Sequence, residues 1–332
     1  MNKILTILLL LLPVACDNTL EVIDPIDSFP VVYGIVCPKD TIHRIVVRKS
    51  FICRDSVEWY AQNPDSIQYD SLLVFLEVRN QEGIVIQRVS MKKELGQIRE
   101  AGFFAREPNW IYTCAANRMA DPDSFGQSVN YNLTVYSPIS KQSAYAEIVI
   151  PTTPKVLEPI NVRPYELNMT SEISITFKWK RSTEYYVQFN TRVEYWEYTK
   201  GRETLKEFVH QHQWSPWDLP LDEKTETVTI TGDWFYSLIA ARISDDESVE
   251  YRKFKQIDFE LISYDETFME YFSSIHYSTD YESIPLTNVV NGEGLFVGYN
   301  VHYFRGYGLT QLSKDSLAYG ETTKHLRFVR WE

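Results

Sequence analysis

The sequence lacks the features that mark nucleic-acid-binding and membrane-spanning proteins. No run of lysine and arginine is long enough to follow a phosphate backbone, and the formal net charge is −12; nucleic acid is therefore not an expected partner. Beyond the first sixteen residues, no apolar run approaches the roughly 18 residues that a transmembrane helix needs. Hydrophobic residues still make up 44% of the chain and aromatic residues 14%, which argues against disorder. We expect a globular, water-soluble body.

The linear motifs of common enzyme classes are also missing. The sequence has no Gly-x-Ser-x-Gly elbow, no His-Glu-x-x-His zinc motif, no Walker loop and no Gly-x-Gly-x-x-Gly fingerprint. Acid–base pairs leave no trace in a linear sequence, so an enzyme stays a lower-ranked alternative. We expect no catalytic residue, no bound metal and no cofactor.

The few cysteines form no metal-binding pattern. Besides Cys16, the sequence contains Cys37, Cys53 and Cys114, and none of them forms a Cys-x-x-Cys pair. If one disulfide forms, we expect it between Cys37 and Cys53, near the ends of two neighbouring predicted strands. Three buried free thiols are an equal alternative.

The first sixteen residues have the form of a bacterial export signal. Lys3 supplies a positive charge, residues 4–12 are almost uniformly aliphatic, and Pro13-Val14-Ala15-Cys16 follows. An apolar run of this length spans about 14 Å as a helix, roughly half of the hydrocarbon layer of a bilayer. Residues 1–15 are therefore predicted to be a signal peptide and not a membrane span.

The end of this segment, Val14-Ala15-Cys16, resembles the bacterial lipobox, in which a small residue precedes a cysteine that becomes an acylated N-terminus. Two lipid groups on one residue suffice for stable membrane attachment. Residues 16–29 would then be the lipidated N-terminus and a linker, since Pro25 and acidic residues interrupt any periodicity. A soluble secreted protein with an ordinary thiol at Cys16 is the alternative.

Residues 30–152 are predicted to form an immunoglobulin-like β-sandwich. Apolar and polar residues alternate with a period of two in short segments separated by turns, and one helix is expected over residues 56–63. Seven short strands in about 120 residues are typical of an immunoglobulin-like β-sandwich. The predicted strands cover residues 31–36, 41–51, 72–78, 84–89, 110–115, 131–136 and 144–150.

Prolines at positions 151 and 154 break the strand pattern, so we place a boundary there and a second unit over residues 160–332. Alternation predicts a β-rich, fibronectin-like domain with one or two inserted helices. Asp233 is expected to cap the first helix, and Ser263 to begin a capping box for the second, whose aromatic stripe should face the core. The predicted strands lie around residues 173–180, 187–195, 205–212, 228–230 and 257–261.

Several stretches together resemble a family of Bacteroidota lipoproteins of unknown function, domain of unknown function 4249. They are residues 30–36 with 48–51, residues 259–275, residues 287–299 and the lipobox. The most telling is the segment 291–296, where a tight turn is expected before an apolar strand. The resemblance implies an outer-membrane lipoprotein beside TonB-dependent receptors, whose periplasmic or surface orientation stays open, and it supplies no catalytic residues.

Three short stretches are candidates for binding. Trp214 and Trp217 lie on a proline-rich loop, where their two rings can stack on a sugar or contact a partner protein. The alternative is a loop that folds back and buries both rings. His210 and His212 have a spacing that a metal can use, but no third ligand is identifiable, and exposed hairpin histidines are the alternative. The acidic residues 245–247 offer too few oxygens for calcium, so a solvated turn is expected.

The leading functional hypothesis is a non-enzymatic, membrane-tethered binding or assembly protein. Its expected partners are the membrane, through Cys16, and an outer-membrane receptor or another envelope protein. A glycan- or peptide-binding lipoprotein that uses Trp214 and Trp217 is the second hypothesis. An envelope enzyme is the third.

Overall fold

A computed structural model describes residues 28–51, 56–116, 121–159, 166–170, 173–180, 186–212, 225–277 and 287–330. The described chain is mainly β-strand, as the sequence predicts. The strands of its N-terminal part are β1 (Pro30–Val36), β2 (Ile42–Lys49), β3 (Leu73–Arg79), β4 (Val85–Ser90), β5 (Lys92–Leu95), β6 (Trp110–Ala115), β7 (Val129–Tyr136) and β8 (Ser143–Ile150).

The remaining strands belong to the C-terminal part, in which the longest strands of the protein occur. They are β9 (Val156–Glu158), β10 (Glu166–Leu167), β11 (Ser174–Lys180), β12 (Tyr186–Thr199), β13 (Arg202–Gln211), β14 (Thr225–Thr231), β15 (Tyr251–Tyr264), β16 (Val289–Val290) and β17 (Glu293–Leu309). The helices are α1 (Val57–Gln62), α2 (Pro64–Ile67), α3 (Pro122–Phe125), α4 (Gly232–Arg242), α5 (Glu266–Tyr277) and α6 (Gln311–Tyr319), and Lys324–Leu326 form a 3₁₀ turn.

The first core lies between two sheets, which confirms the predicted sandwich. One sheet has the order β16-β8-β7-β3-β4, and the other is formed by β5, β6, β2, β1 and the start of β17. Alternate residues of β7 and β8 are buried, because successive side chains of a strand point to opposite faces. Their buried residues meet those of β1 and β2, such as Val32 and Ile45, in one apolar cluster.

The first core also takes residues from beyond the predicted boundary. Val289 of β16 and Phe296 of β17 belong to its apolar cluster, although the boundary after residue 152 assigned them to the second unit. The sequence pattern hid this because β16 and the start of β17 join the sandwich through pairing with β8 and β1, which are distant in sequence.

The second core lies between β13-β12-β15-β17 and the small sheet β14-β11-β9. Phe177 of β11 is fully buried, and its ring centroid lies 4.8 Å from Phe189, 4.5 Å from Phe259 and 5.3 Å from Phe304. Helix α4 covers this core with Phe235 and Ile239. The region is therefore β-rich with helices packed on it, as predicted.

Strand β17 belongs to both regions. Its residues 293–298 pair in parallel with β1, and residues 299–307 pair antiparallel with β15. The strand thus runs from the first core into the second. A single sheet of nine strands results, in which eight follow the path β13-β12-β15-β17-β1-β2-β6-β5 and the ninth, β10, pairs with β17.

The turn before β17 has the predicted conformation. Asn291 has a φ of 56° and Gly294 a φ of 107°, both in the left-handed region. The side-chain amide of Asn288 completes the turn, since it donates to the Phe296 carbonyl at 2.6 Å and accepts from the Phe296 N–H at 2.9 Å. The Asn288 amide therefore satisfies the backbone N–H and carbonyl of Phe296, as a neighbouring strand would.

Buried polar contacts fix the junction between the two cores. Asn300 of β17 is fully buried and donates to the Pro151 carbonyl at 3.1 Å and to Asp123 at 3.3 Å. Asp123 also accepts from the Thr153 N–H at 2.7 Å and pairs with Lys39 at 3.0 Å. The segment that follows β8 is thereby held against β17.

Two helix caps and three helices differ from the sequence predictions. Thr231, and not Asp233, caps α4, since its hydroxyl accepts from the Trp234 N–H at 3.2 Å. Asp265 caps α5, whereas Ser263 lies inside β15, so no capping box forms. The three helices that were not predicted are α2, α3 and α6.

Helix α5 itself is confirmed, but its aromatic stripe is not fully in the core. Phe268 stacks on Tyr264 with a centroid distance of 4.5 Å, whereas Phe272 is 41% exposed. Among the described residues, no helix is both long and apolar enough to cross a membrane.

We expect Gly294→Ala to destabilise the protein by about 3 kcal/mol or more, because a Cβ there would lie 2.0 Å from the Val32 carbonyl oxygen, in addition to the strain of a positive φ. Gly306 has a φ of 78° and open space around it, so the matched control Gly306→Ala should cost only about 1–2 kcal/mol. Urea unfolding of the two variants measures the difference. Equal destabilisation would contradict the role given to the β1–β17 contact.

A buried imidazole predicts loss of stability in acid. Burial lowers the pKa of His43 to about 4, below the value of about 6.5 for an unfolded chain. The unfolded state then binds more protons between these values, so stability falls as the pH drops through this range. His43→Leu should reduce the loss between about pH 7.5 and about pH 5 by roughly 2 kcal/mol. An unchanged pH dependence of the unfolding midpoint would disprove this.

Candidate functional site

A groove of about 500 Å³ lies on the outer face of the sheet β16-β8-β7-β3-β4. Most of its lining side chains point away from the first core, because residues alternate between the two faces of each strand; Leu133 and Ala146 belong to the core itself. The groove is lined by Phe75, Glu77, Arg79, Arg88, Asn132, Leu133, Thr134, Tyr145, Ala146, Glu147 and Val290.

Strand register arranges part of this lining as an apolar row. Phe75 of β3 lies opposite Thr134 of β7, which lies opposite Tyr145 of β8, and Tyr145 lies opposite Val290 of β16. Tyr145 is 46% exposed and Val290 is 61% exposed. One side of the groove therefore presents a ring and an aliphatic side chain to solvent.

The next row along the strands is polar. Arg88, Glu77, Asn132 and Glu147 occupy successive register positions from β4 to β8. Glu77 forms an ion pair with Arg79 and a second, at 3.9 Å, with Arg88. The guanidinium of Arg88 also lies 5.5 Å from the centroid of Phe75, which links the polar row to the apolar one.

A free hydrogen-bond acceptor lies in the middle of the polar row. The side-chain oxygen of Asn132 is buried and accepts no hydrogen bond from the described residues. Its neighbour Glu147 accepts from the Asn130 amide at 2.9 Å. A buried oxygen without a donor costs free energy, so a ligand hydroxyl or amide gains a hydrogen bond there if the Asn132 side chain turns toward the groove.

The lining of the groove is suited to binding. Its charged residues are two arginines and two glutamates, so its formal charge is balanced, and it contains no histidine, cysteine or lysine. Rings, carboxylates, guanidinium groups and an amide are the groups that hold a polar ligand with an apolar face.

The groove is not evident from the sequence. Its residues come from five strands, and each strand contributes only one to three of them. In the sequence, most of the groove residues are the outward positions of alternating segments. Such positions are typical of any solvent-exposed strand face, and only the strand register shows that they meet.

The histidine pair is packed against a helix and is not exposed as expected. The rings of His210 and His212 lie 4.9 Å apart and both contact Trp234 of α4, at 5.3 and 5.0 Å. The Thr191 hydroxyl lies 2.8 Å from Nε2 of His212. Burial lowers the pKa of His212 to about 4 and lowers the pKa of His210. No cluster of three or more metal-ligating side chains occurs among the residues that the structure describes.

Three predicted site residues lie outside the described residues. Trp214 and Trp217 fall in the undescribed range 213–224, and Cys16 falls in the range 1–27. Lipidation of Cys16 and ligand binding by the two tryptophans therefore stay predictions.

Cys37 forms no disulfide among the residues that the structure describes, and Cys53, its expected partner if one disulfide forms, lies outside them. Cys37 is a free, fully buried thiol that packs against Ile262 and Val301 at the junction of the cores. Burial raises its pKa to about 12. Cys114 is also free and buried. Cys37 therefore serves as a packing residue beneath β15 and β17.

The acidic stretch 245–247 forms the expected solvated turn. Asp246 accepts from the Ser248 N–H at 2.9 Å, and Asp245 lies 3.7 Å from the guanidinium of Arg327. These carboxylates are exposed and are used to close the turn and to hold the C-terminal segment.

Comparisons with known proteins give no family. No protein-family model matches the chain, and no curated protein sequence matches it. Among solved structures, the chain is similar to a DUF4785 family protein from Legionella pneumophila, with 10% identity and a TM-score of 0.23 over 70% of this chain and 52% of that chain. The aligned part thus spans about half of the Legionella protein.

Two further solved structures are bacterial α2-macroglobulins. The protein from E. coli is 9% identical with a TM-score of 0.22, over 73% of this chain and 13% of that chain. The protein from Salmonella is 9% identical with a TM-score of 0.22, over 86% of this chain and 15% of that chain. At this level of similarity, none of these matches assigns the chain a function.

Proposed function

We propose that the protein is an exported, lipid-anchored binding protein without catalytic activity, and that the groove on the outer face of the first sandwich is its ligand site. The observation that supports this most is the free Asn132 oxygen between Glu77 and Glu147, beside the exposed ring of Tyr145. These side chains combine hydrogen-bonding groups with an apolar contact.

Several features of the groove favour binding over catalysis. Serine, cysteine, lysine and histidine, which supply many enzyme nucleophiles and bases, do not line the groove, so its two glutamates are the main candidates for catalysis. Glu77, one of its two carboxylates, is already ion-paired with Arg79 and Arg88.

The ligand class that fits best is a neutral oligosaccharide. Most of the groove lies on β3, β7 and β8, which are interior strands that pair with neighbours on both sides, and the edge strands β4 and β16 contribute one residue each. A peptide that binds by strand addition needs a free edge, whereas a sugar needs only side chains that reach its hydroxyls and a ring for its apolar face. The balanced charge of the lining favours an uncharged ligand.

The anchored state and the accessory role rest on the sequence. The lipobox-like segment ending at Cys16 supports attachment to the outer membrane, and the resemblance to domain of unknown function 4249 supports a role beside a TonB-dependent receptor. A tethered protein that captures oligosaccharide near a transporter would serve such a role.

The groove proposal is tested with a panel of neutral hexasaccharides of glucose, xylose, mannose and N-acetylglucosamine, by isothermal titration calorimetry. We expect one of them to bind, and Tyr145→Ala to weaken that binding about five- to thirtyfold, because stacking of a ring on a sugar is worth about 1–2 kcal/mol. The matched control is Val149→Ala, on the same face of β8 but outside the groove. Absence of binding to the whole panel, or equal loss in both variants, would refute the saccharide site.

Lipidation is tested by intact-mass analysis of the protein extracted from membranes of a bacterial host. We expect a chain that begins at Cys16 and carries the mass of a diacylglyceryl group and one further acyl chain. Cys16→Ser should leave the protein uncleaved and unacylated. An unmodified thiol at Cys16 in the wild-type protein would exclude the anchor.

A further inference from the structure

One end of the first sandwich carries an unusual number of exposed apolar side chains. They come from α1 and from the loop that joins β5 to β6. Trp59 is 61% exposed, Phe103 51% and Phe104 49%. We call this surface the tip patch and define it as Val57, Trp59, Ile98, Phe103 and Phe104. A soluble surface seldom concentrates large apolar side chains in this way unless they meet a partner.

The two segments of the tip patch are fixed to each other. The side-chain amide of Gln62, the last residue of α1, donates to the carbonyls of Gly102 at 3.1 Å and Phe103 at 2.8 Å. The Ala105 N–H donates to the Ala61 carbonyl at 2.9 Å. The rings therefore project from a preorganised surface.

The tip patch lies where the described chain begins. The Phe29 N–H donates to the Ser50 hydroxyl at 2.8 Å, and the Ser50 N–H donates to the Phe29 carbonyl at 2.9 Å. The next residue, Phe51, stacks on Tyr60 of α1 at 6.0 Å, and Tyr60 contacts Trp59 at 5.0 Å. A short series of contacts thus leads from the start of β1 to the patch.

The loop between β5 and β6 is tied to the same end by a second route. Arg48, which lies opposite Val31 at the start of β1, donates to the Trp110 carbonyl at 2.9 Å and also bonds to the side chain of Asn109. Asn109 in turn donates to the Gln97 carbonyl at 2.7 Å. Both ends of the loop are therefore anchored beside the N-terminal end of β1.

We infer that the tip patch is the surface with which the protein lies against a lipid bilayer, its rings inserted at the level of the headgroups. Trp and Phe side chains on fixed tips favour this interfacial position, where a ring leaves water without crossing the hydrocarbon layer. The inference rests on the proposed function in one respect, since a lipid anchor at Cys16 would bring the protein to a bilayer.

Chain length fits a bilayer as the occupant. Residues 17–27 separate Cys16 from the described chain, and a segment of that length reaches at most about 40 Å. The anchor would therefore hold the N-terminal end of β1, and the tip patch beside it, close to the headgroups. The loop carries charges of both signs, such as Arg99, Glu100 and Arg106, so apolar contact and not attraction to anionic lipid should dominate.

The test uses residues 17–332, which retain every described residue and lack the acylated cysteine. The chain is sedimented with vesicles of phosphatidylethanolamine and phosphatidylglycerol. We expect measurable partition with weak dependence on salt, and at least a tenfold lower partition coefficient for the variant that combines Trp59→Ser, Phe103→Ser and Phe104→Ser. In vesicles with brominated acyl chains, the quenching of tryptophan fluorescence should be smaller in Trp59→Phe than in the wild-type chain.

The matched control combines Leu205→Ser, Leu312→Ser and Tyr319→Ser, which are exposed apolar residues of the second region. It should partition like the wild-type chain, and circular dichroism should show both triple variants folded. The inference would be overturned if the wild-type chain did not bind vesicles, or if the tip-patch variant bound them equally well. It would also be overturned if the wild-type chain formed a dimer that the tip-patch variant, but not the control, failed to form. Oligosaccharide binding is measured without vesicles, so failure of the saccharide site and failure of the tip patch are distinguishable.

Discussion

Strand β17 is the constraint on which the rest of the structure depends. Parallel pairing with β1 completes the first sandwich, and antiparallel pairing with β15 completes the sheet of the second core. The same strand supplies Phe296 to the first core and Tyr307 to the second. Gly294 makes the close approach to β1 possible, and Asn300 holds the connecting segment at the junction. The two cores therefore share one backbone element.

The proposed functional surfaces use positions that the cores leave free. In β3, β7 and β8 the inward residues fill the first core, and the outward residues form the groove. The tip patch is built differently, from a short helix and a loop at the end of the same sandwich. Val290, at the edge of the groove, directly precedes the turn that returns the chain to the start of β1. Ligand site and bilayer contact would then lie at neighbouring positions on one rigid sandwich.

Local patterns in the sequence predict the strands well but their pairing poorly. Periodic patterns placed β1 to β4, β6 to β8, α4 and α5, because burial on one face leaves a direct trace in the order of residues, whereas the short β5 was not predicted. The parallel pairing of β1 with β17 leaves no such trace, since the partners are far apart in the chain. Helix α6 was missed because only Ser313, Leu317 and Ala318 are buried. The groove was missed for the same reason as the pairing, as its residues become neighbours only through register.

The shared strand also determines when the protein can finish folding. A chain that leaves the ribosome or a translocon from its N-terminus presents β1 to β8 long before Val289 and Phe296, which fill the remaining space of the first core. Until those residues arrive, β1 has an unpaired edge and the apolar interior is incomplete. The first sandwich therefore stays open until synthesis reaches residue 296, although its own strands are made first, and the second core closes later still, with Leu317, Leu326 and Phe328.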